Sequence, residues 1–200
     1  MARIKQSYQS ELEIKRSRFI TYLNPVENAQ EAKEILSSIR KLHPKASHHC
    51  SALLLDANTQ RSSDDGEPGG TAGLPMLEVL RMANMDHIQA VVVRYFGGVL
   101  LGAGGLIRAY RSSVAQALKK AEIFDIATGK LYRITCDYPL YNKIENLLKA
   151  TVVYQTDFAQ QVTIEYLYKD EELQQSLMEI TKGQSTLEFL KEVVLEIKRD

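Results

Sequence analysis

The sequence predicts a mixed α+β fold divided into two domains, residues 1–126 and 127–200. Strand-like and helix-like spacings of apolar residues alternate along the whole chain. Nine of the eleven glycines lie between Gly66 and Gly105, so the middle of the chain differs chemically from both ends. The polar segment "DIATGK", residues 125–130, is short and flexible enough to connect the two domains.

The first domain is predicted to alternate strands with helices. The segment "HIQAVVVRYF", residues 87–96, is continuously apolar at its centre, which predicts a strand covered on both faces. Helical spacing of Ala32, Ile35 and Ile39 predicts a helix that ends before His43-Pro44. The elements predicted for this domain are strands within 11–24, 48–56 and 87–96, and helices within 26–42, 75–82 and 104–124. Residues 57–70 are predicted to form a polar loop.

The second domain has a different order of elements. Alternating residues predict a strand at 131–140, followed by a helix at 141–150 and a hairpin at 152–168. A helix at 171–182 and a strand at 192–198 complete the chain. The order β-α-β-β-α-β is that of a ferredoxin-like domain.

Composition excludes several classes of protein. The chain is 44% apolar and 25% charged, which is typical of a globular protein, and its net charge is zero. It has no apolar stretch near the roughly 20 residues that span a bilayer and no signal core, so we expect a cytoplasmic protein without a membrane partner. Cys50 and Cys136 form no CxxC pair, which argues against a zinc ribbon or a disulfide framework. Because the net charge is zero, any phosphate-binding surface must be a local cluster of residues and not a general property of the protein surface.

One such surface is predicted in "RYFGGVLLGAGGLIRAYR", residues 94–111. A glycine-rich turn that opens a helix presents free backbone N–H groups to an anion. The predicted phosphate-binding residues are Arg94, Gly102, Gly104, Gly105, Arg108 and Arg111, and Tyr95 or Phe96 is expected to stack on a base. A single site requires Arg94 to lie near Arg108 or Arg111. The alternative is that the glycines only allow close packing, since neither a dinucleotide fingerprint nor a P-loop is present.

The rim of this site is predicted to contain two further groups. Asp64, Asp65 and Glu67 in "SDDGEPGG" either form a turn and cap a helix, bind a metal or act as acid and base. His48 and His49 are adjacent in a predicted strand and therefore point to opposite faces, which disfavours a shared metal. We predict no metal site and no cofactor.

Four motifs resemble a known family. They are "KRSRFIT" (15–21), "HHC" (48–50), "SDDGEPGGTAGLPML" (63–77) and "VVVRYFGGVLLGAGGLIRAY" (91–110). Together they strongly resemble the IMPACT/YigZ family, bacterial relatives of the eukaryotic translational regulator IMPACT. The resemblance implies a first domain of the ribosomal protein S5 domain 2-like fold and a ferredoxin-like second domain.

The resemblance also implies a function linked to translation. With the glycine loop, it predicts a non-enzymatic regulatory protein that contacts RNA or the ribosome, or a protein partner in translation control. The alternative is an enzyme, or a protein that binds a small ligand or metal through the acidic loop and the same cleft.

Overall fold

The computed structural model of the chain describes residues 1–168 and 170–199 and shows a mixed α+β fold, which confirms the predicted class. It contains two compact units. The first comprises Met1–Ile126 and the residues from Ile197 onward, and the second comprises Ala127–Glu196. The S5 domain 2-like and ferredoxin-like assignments stay predictions. No helix in the described part of the chain is both long and apolar enough to cross a membrane.

The first unit is built around a five-stranded sheet of order β2-β3-β6-β4-β5, in which every pair of neighbouring strands is antiparallel. Its elements are β1 (Ala2–Ile4), β2 (Tyr8–Ile14), β3 (Ser17–Pro25), α1 (Ala29–Leu42), β4 (His48–Leu54), β5 (Gln60–Ser63), α2 (Gly73–Met82), β6 (Ile88–Tyr95) and α3 (Gly102–Lys120). A further strand, β7 (Ile123–Cys136), begins in this unit and pairs there with β1.

The central strand β6 explains how the site is positioned. Val91 and Val93 pack with residues of α1 on one face of the sheet. Ala90 and Val92 pack with α2 and α3 on the other. Because side chains alternate along a strand, Arg94 follows Val92 to the α3 face and Tyr95 follows Val93 to the α1 face. The predicted burial of β6 on both faces is confirmed.

Three features of the first unit and its boundary differ from the sequence-based prediction. Residues 60–63 form β5, a four-residue polar edge strand that lacks an apolar pattern. Residues 2–4 form β1, which is too short to show periodicity. The predicted connection at residues 125–130 lies inside β7 instead of forming a loop, because the strand continues from Ile123 to Cys136.

The second unit follows the predicted order of elements. After β7 come α4 (Tyr138–Leu148), β8 (Val153–Phe158), β9 (Val162–Leu167), α5 (Glu171–Thr181) and β10 (Thr186–Lys198). Strand β9 pairs antiparallel with β7 and β8, and β10 pairs with β7. Ile134, Ile144, Ile164 and Leu177 lie in its core, where both helices pack on one face of the sheet.

Candidate functional site

Helix α3 begins without a side-chain cap. Its first residue, Gly102, has φ +70°, a left-handed conformation that glycine adopts at little cost. The preceding residue, Leu101, makes no side-chain capping hydrogen bond, and the first turn contains no acidic residue. The first N–H groups of the helix, at the positive end of its dipole, are thus available to an anion.

Arg108 lies over this first turn. Its Nη1 atom is 3.6 Å from the position that a Cβ on Gly104 would occupy, so the exposed side chain folds back toward the start of α3. The Arg108 side chain has no hydrogen bond or ion pair with any other residue among 1–168 and 170–199. Its positive charge adds to that of the helix terminus.

Arg111 differs from Arg108 although it lies on the same helix. Its guanidinium forms an ion pair with the Glu78 carboxylate of α2. Of the two predicted arginines on α3, Arg111 thus has an acidic partner and Arg108 has none among the described residues. The contact of Arg111 joins α2 to α3.

A cleft of about 430 Å³ opens beside the start of α3. Its apolar wall includes Phe96, Leu100, Leu101 and Leu106. Its polar wall consists of His48, Glu67 and Arg94, and Gly102 and Ala103 bring the helix terminus into the same space. The cleft thus combines predicted residues from the glycine loop, the acidic loop and β4.

Arg94 is buried in an ion pair and is not a free ligand for phosphate, which corrects its predicted role. Its Nη1 donates to Glu67 Oε1 over 2.7 Å, and the two side chains are only 6% and 3% exposed. Tyr110 of α3 donates to the same oxygen over 2.7 Å. Burial, followed by the neighbouring Cys50 and Glu67, raises the pKa of Tyr110. Within the described residues the buried Arg94 Nε has no hydrogen-bond partner.

His48 presents an acceptor to the cleft. Its Nδ1 lies 2.9 Å from the carbonyl oxygen of Asp65, which can only accept, so Nδ1 carries the proton. In the neutral ring Nε2 is then unprotonated. It lies 3.8 Å from Glu67 Oε2. With a neutral ring, His48 Nε2 and Glu67 Oε2 are two neighbouring hydrogen-bond acceptors at the polar wall.

The other two acidic side chains act within the fold. Asp64 accepts from the N–H groups of Gly70, Ala72 and Gly73 at 2.7, 3.0 and 2.8 Å, which caps the start of α2. Burial raises the pKa of Asp64, but these hydrogen bonds outweigh it and the pKa lies below its ordinary value. Asp65 pairs with Arg40 and accepts from the His49 N–H. No cluster of three metal-ligating side chains occurs among the described residues.

Tyr95 and His49 lie outside the cleft. Tyr95 faces α1, where its hydroxyl lies 2.9 Å from Nδ1 of His43, whose Nε2 is 2.6 Å from the Tyr22 hydroxyl. His49 Nε2 lies 3.1 Å from the carbonyl of His43. Of the two aromatic residues predicted to stack on a base, only Phe96 lines the cleft. Tyr110 was not predicted, and only its place in the apolar spacing of α3 indicated that it is buried.

Comparison with known proteins extends the description of the chain. The family model of the Impact N-terminal domain matches residues 15–118. IMPACT family member YvyE of Bacillus subtilis is 37% identical over 207 residues, covering 98% of this chain and 95% of that protein. IMPACT family member YigZ of Escherichia coli is 45% identical over 140 residues, covering 68% of this chain and 69% of that protein.

The similarity to eukaryotic proteins is narrower. Protein IMPACT of Rattus norvegicus is 34% identical over 95 residues, which cover 44% of this chain and 29% of the rat protein. Among solved structures, the crystal structure of a hypothetical protein is 35% identical with a TM-score of 0.60, covering 95% of this chain and 97% of that one. The similarity to that structure extends over nearly the whole of both chains.

Proposed function

This chain belongs to the IMPACT family, and from that premise we propose that it is a non-enzymatic binding protein of translation control. Its ligand is RNA, free or within the ribosome, and it holds an RNA phosphate at the start of α3. The family resemblance directs the proposal to translation. The geometry of the first unit supports the phosphate site.

One observation carries the proposal: the unpaired guanidinium of Arg108 lies over an uncapped helix terminus. Backbone N–H groups of Gly102 and the residues after it supply hydrogen bonds, and Arg108 supplies a positive charge. The buried, partly unpaired Arg94 in the adjoining wall is a second mark of a ligand site. Phe96 is 48% exposed and offers a stacking surface next to the phosphate.

The net charge of the chain limits how strongly the RNA affinity can depend on salt. Lys and Arg number 25, as do Asp and Glu, so the chain carries no net positive charge that would attract RNA. Each phosphate held by a cation on single-stranded RNA contributes about 0.7 to the slope of log affinity against log salt. We expect a small slope, near that of one or two phosphates, and not the steep slope of a strongly basic protein.

The test compares Arg108→Gln with Arg111→Gln. Both variants remove one exposed charge from the same helix, but only Arg108 lies over the terminus of α3. Binding to a fluorescent single-stranded RNA and sedimentation with ribosomes are measured across a salt series. Arg108→Gln is expected to weaken binding several-fold and to lower the salt slope by about 0.7, while Arg111→Gln binds like the wild type. Equal effects of the two variants, or no binding by the wild type, would overturn the proposal.

The acidic loop supports a second candidate less well. An enzyme or metal-binding protein would need free carboxylates, yet Asp64 and Asp65 are occupied by backbone N–H groups and by Arg40. RNA binding is accordingly expected to be unchanged by a chelator. Loss of binding in EDTA, restored by Mg²⁺, would favour the metal-binding alternative.

A further inference from the structure

We infer that the cleft beside α3 binds the base of a nucleotide, and that it selects bases bearing an exocyclic amino group. The inference rests on the proposed function, because the phosphate of the same nucleotide occupies the start of α3. It adds the recognition of a nucleotide base, which phosphate binding alone does not require. Cytosine, adenine and guanine carry such an amino group and uracil does not.

The size and lining of the cleft suit a base. A volume of about 430 Å³ falls in the range of small-ligand sites, about 300–1,000 Å³. Phe96 is half-exposed at one wall, and Leu100, Leu101 and Leu106 supply further apolar surface. An aromatic wall of this kind stacks on the flat face of any base, so it supplies affinity without selectivity.

Selectivity comes from the two acceptors of the polar wall. His48 Nε2 and Glu67 Oε2 lie 3.8 Å apart, and one amino group can donate a hydrogen to each over about 2.9 Å. Uracil offers carbonyl oxygens at the corresponding edge, and these repel acceptor atoms. A base without an amino group therefore leaves both wall atoms desolvated and unpaired.

Both acceptors are held in place before a ligand arrives. Arg94 and Tyr110 bond to Glu67 Oε1, which leaves Oε2 toward His48. The Asp65 carbonyl fixes the proton of His48 on Nδ1 and thus the free lone pair on Nε2. Such positioning favours a specific hydrogen bond because little ordering remains to be done on binding.

Wild-type protein tests the selectivity directly. CMP and UMP have the same phosphate, sugar and ring size, and CMP alone has an amino group. Titrations followed by amide NMR are expected to show CMP binding about tenfold more tightly than UMP, the effect of hydrogen bonding to a charged group. Ribose 5-phosphate serves as the probe without a base and should bind more weakly than either. Equal affinities for CMP and UMP would overturn the inference.

Three variants locate the effect. His48→Phe removes one of the two acceptors but keeps a ring, so the preference for CMP over UMP should decrease. Phe96→Ala should weaken both nucleotides about tenfold and leave ribose 5-phosphate unchanged. Tyr95→Phe is the matched control on the α1 face and should change none of these affinities. Thermal unfolding confirms that each variant is folded.

The outcomes separate this inference from the proposed function. If His48→Phe and Phe96→Ala behave like the wild type while Arg108→Gln loses ribose 5-phosphate, the base site is wrong and the phosphate site stands. If Arg108→Gln binds ribose 5-phosphate like the wild type, the phosphate site itself is wrong. A preference for CMP that is undiminished in His48→Phe would place amino-group recognition elsewhere.

Discussion

Glu67 and Arg94 form an ion pair of 2.7 Å between two side chains that are almost fully buried, at the base of the cleft. Tyr110 donates to the same carboxylate oxygen, and Arg94 Nη2 lies 3.5 Å from the Ser17 hydroxyl. The acidic loop, β6 and α3 thus meet at one carboxylate, and β3 contacts the arginine paired with it. Its removal should affect stability as well as the site.

Glu67→Gln is expected to lower the free energy of unfolding by about 3–5 kcal/mol, because it leaves the guanidinium of Arg94 buried without its counter-charge. Urea unfolding measures the change. The double variant Glu67→Gln/Arg94→Met removes both charges and should be more stable than Glu67→Gln alone. A double variant less stable than the single one would contradict a cost that arises from an uncompensated charge.

Cys50 should be unreactive in the folded protein. Its thiol is fully buried against the Asp64 carbonyl and the Tyr110 hydroxyl, and burial raises the pKa of Cys50 to about 12. In a Cys136→Ala background, a thiol reagent at pH 8 should react only after denaturation. Rapid reaction of the folded protein would show that β4 opens readily at Cys50.

The raised pKa of Cys50 predicts lower stability at alkaline pH. The ordinary pKa of a cysteine is near 9, so the unfolded chain loses the proton first as the pH rises. The contribution of Cys50 to stability is therefore complete below about pH 9 and decreases from there toward pH 12. Cys50→Ala should show a smaller alkaline loss of unfolding free energy than the wild type, both in the Cys136→Ala background.

The folded state should favour neutral His43. Its two ring nitrogens contact the hydroxyls of Tyr22 and Tyr95, one as donor and the other as acceptor. Burial, and then the electrostatic effects of the neighbouring His49 and Arg18, lower the pKa of His43 below its ordinary value near 6.5. The unfolded chain then binds the proton first as the pH falls, so this stabilisation is present above about pH 6.5 and decreases below it.

His43→Gln removes this titration and keeps a polar side chain. Unfolding free energies at pH 7.5 and 5.5 are expected to differ more in the wild type than in His43→Gln. Tyr22→Phe keeps the histidine and should retain a pH dependence of the same sign. An identical pH dependence in the wild type and His43→Gln would rule out His43 as its source.

The sequence predicted the elements better than their contacts. The apolar run of β6 and the helical spacing in α1 depend on local pattern, and both were confirmed. The polar edge strand β5 was missed because its side chains are exposed and carry no pattern. The burial of Arg94 could not be predicted, since its partner Glu67 lies 27 positions away and meets it only in the folded sheet.

Contacts between distant residues also limited what the sequence could predict about the candidate site. Alternation shows that Arg94 and Tyr95 face opposite ways, but only the packing of α1 and α3 shows which residue meets the cleft. The capping interpretation of Asp64 rested on local turn chemistry and agrees with its three backbone hydrogen bonds. The compensation of Arg111 by Glu78 depends on how α2 and α3 pack, which periodicity does not specify.

Alanine substitutions at Gly97 and Gly104 should change the unfolding free energy in opposite directions. A Cβ on Gly97 would lie 2.0 Å from the carbonyl carbon of Arg16, in the β2–β3 turn, so one of the two backbones must move. Gly97→Ala is therefore expected to lower the unfolding free energy by about 1–3 kcal/mol, as overpacking does. A Cβ on Gly104 would meet only the Arg108 side chain, at 3.6 Å. Gly104→Ala should raise stability by up to about 1 kcal/mol, because alanine favours the helix.

Urea unfolding of both variants measures the difference, and the sign at Gly104 is the sharper test. A destabilised Gly104→Ala would mean that the first turn of α3 is not regular helix in solution, since the alanine methyl group meets no backbone there. The uncapped N–H groups on which phosphate binding depends would then lie elsewhere. A stable Gly97→Ala would likewise show that the β2–β3 turn at Arg16 can yield, because its backbone must move to admit the methyl group.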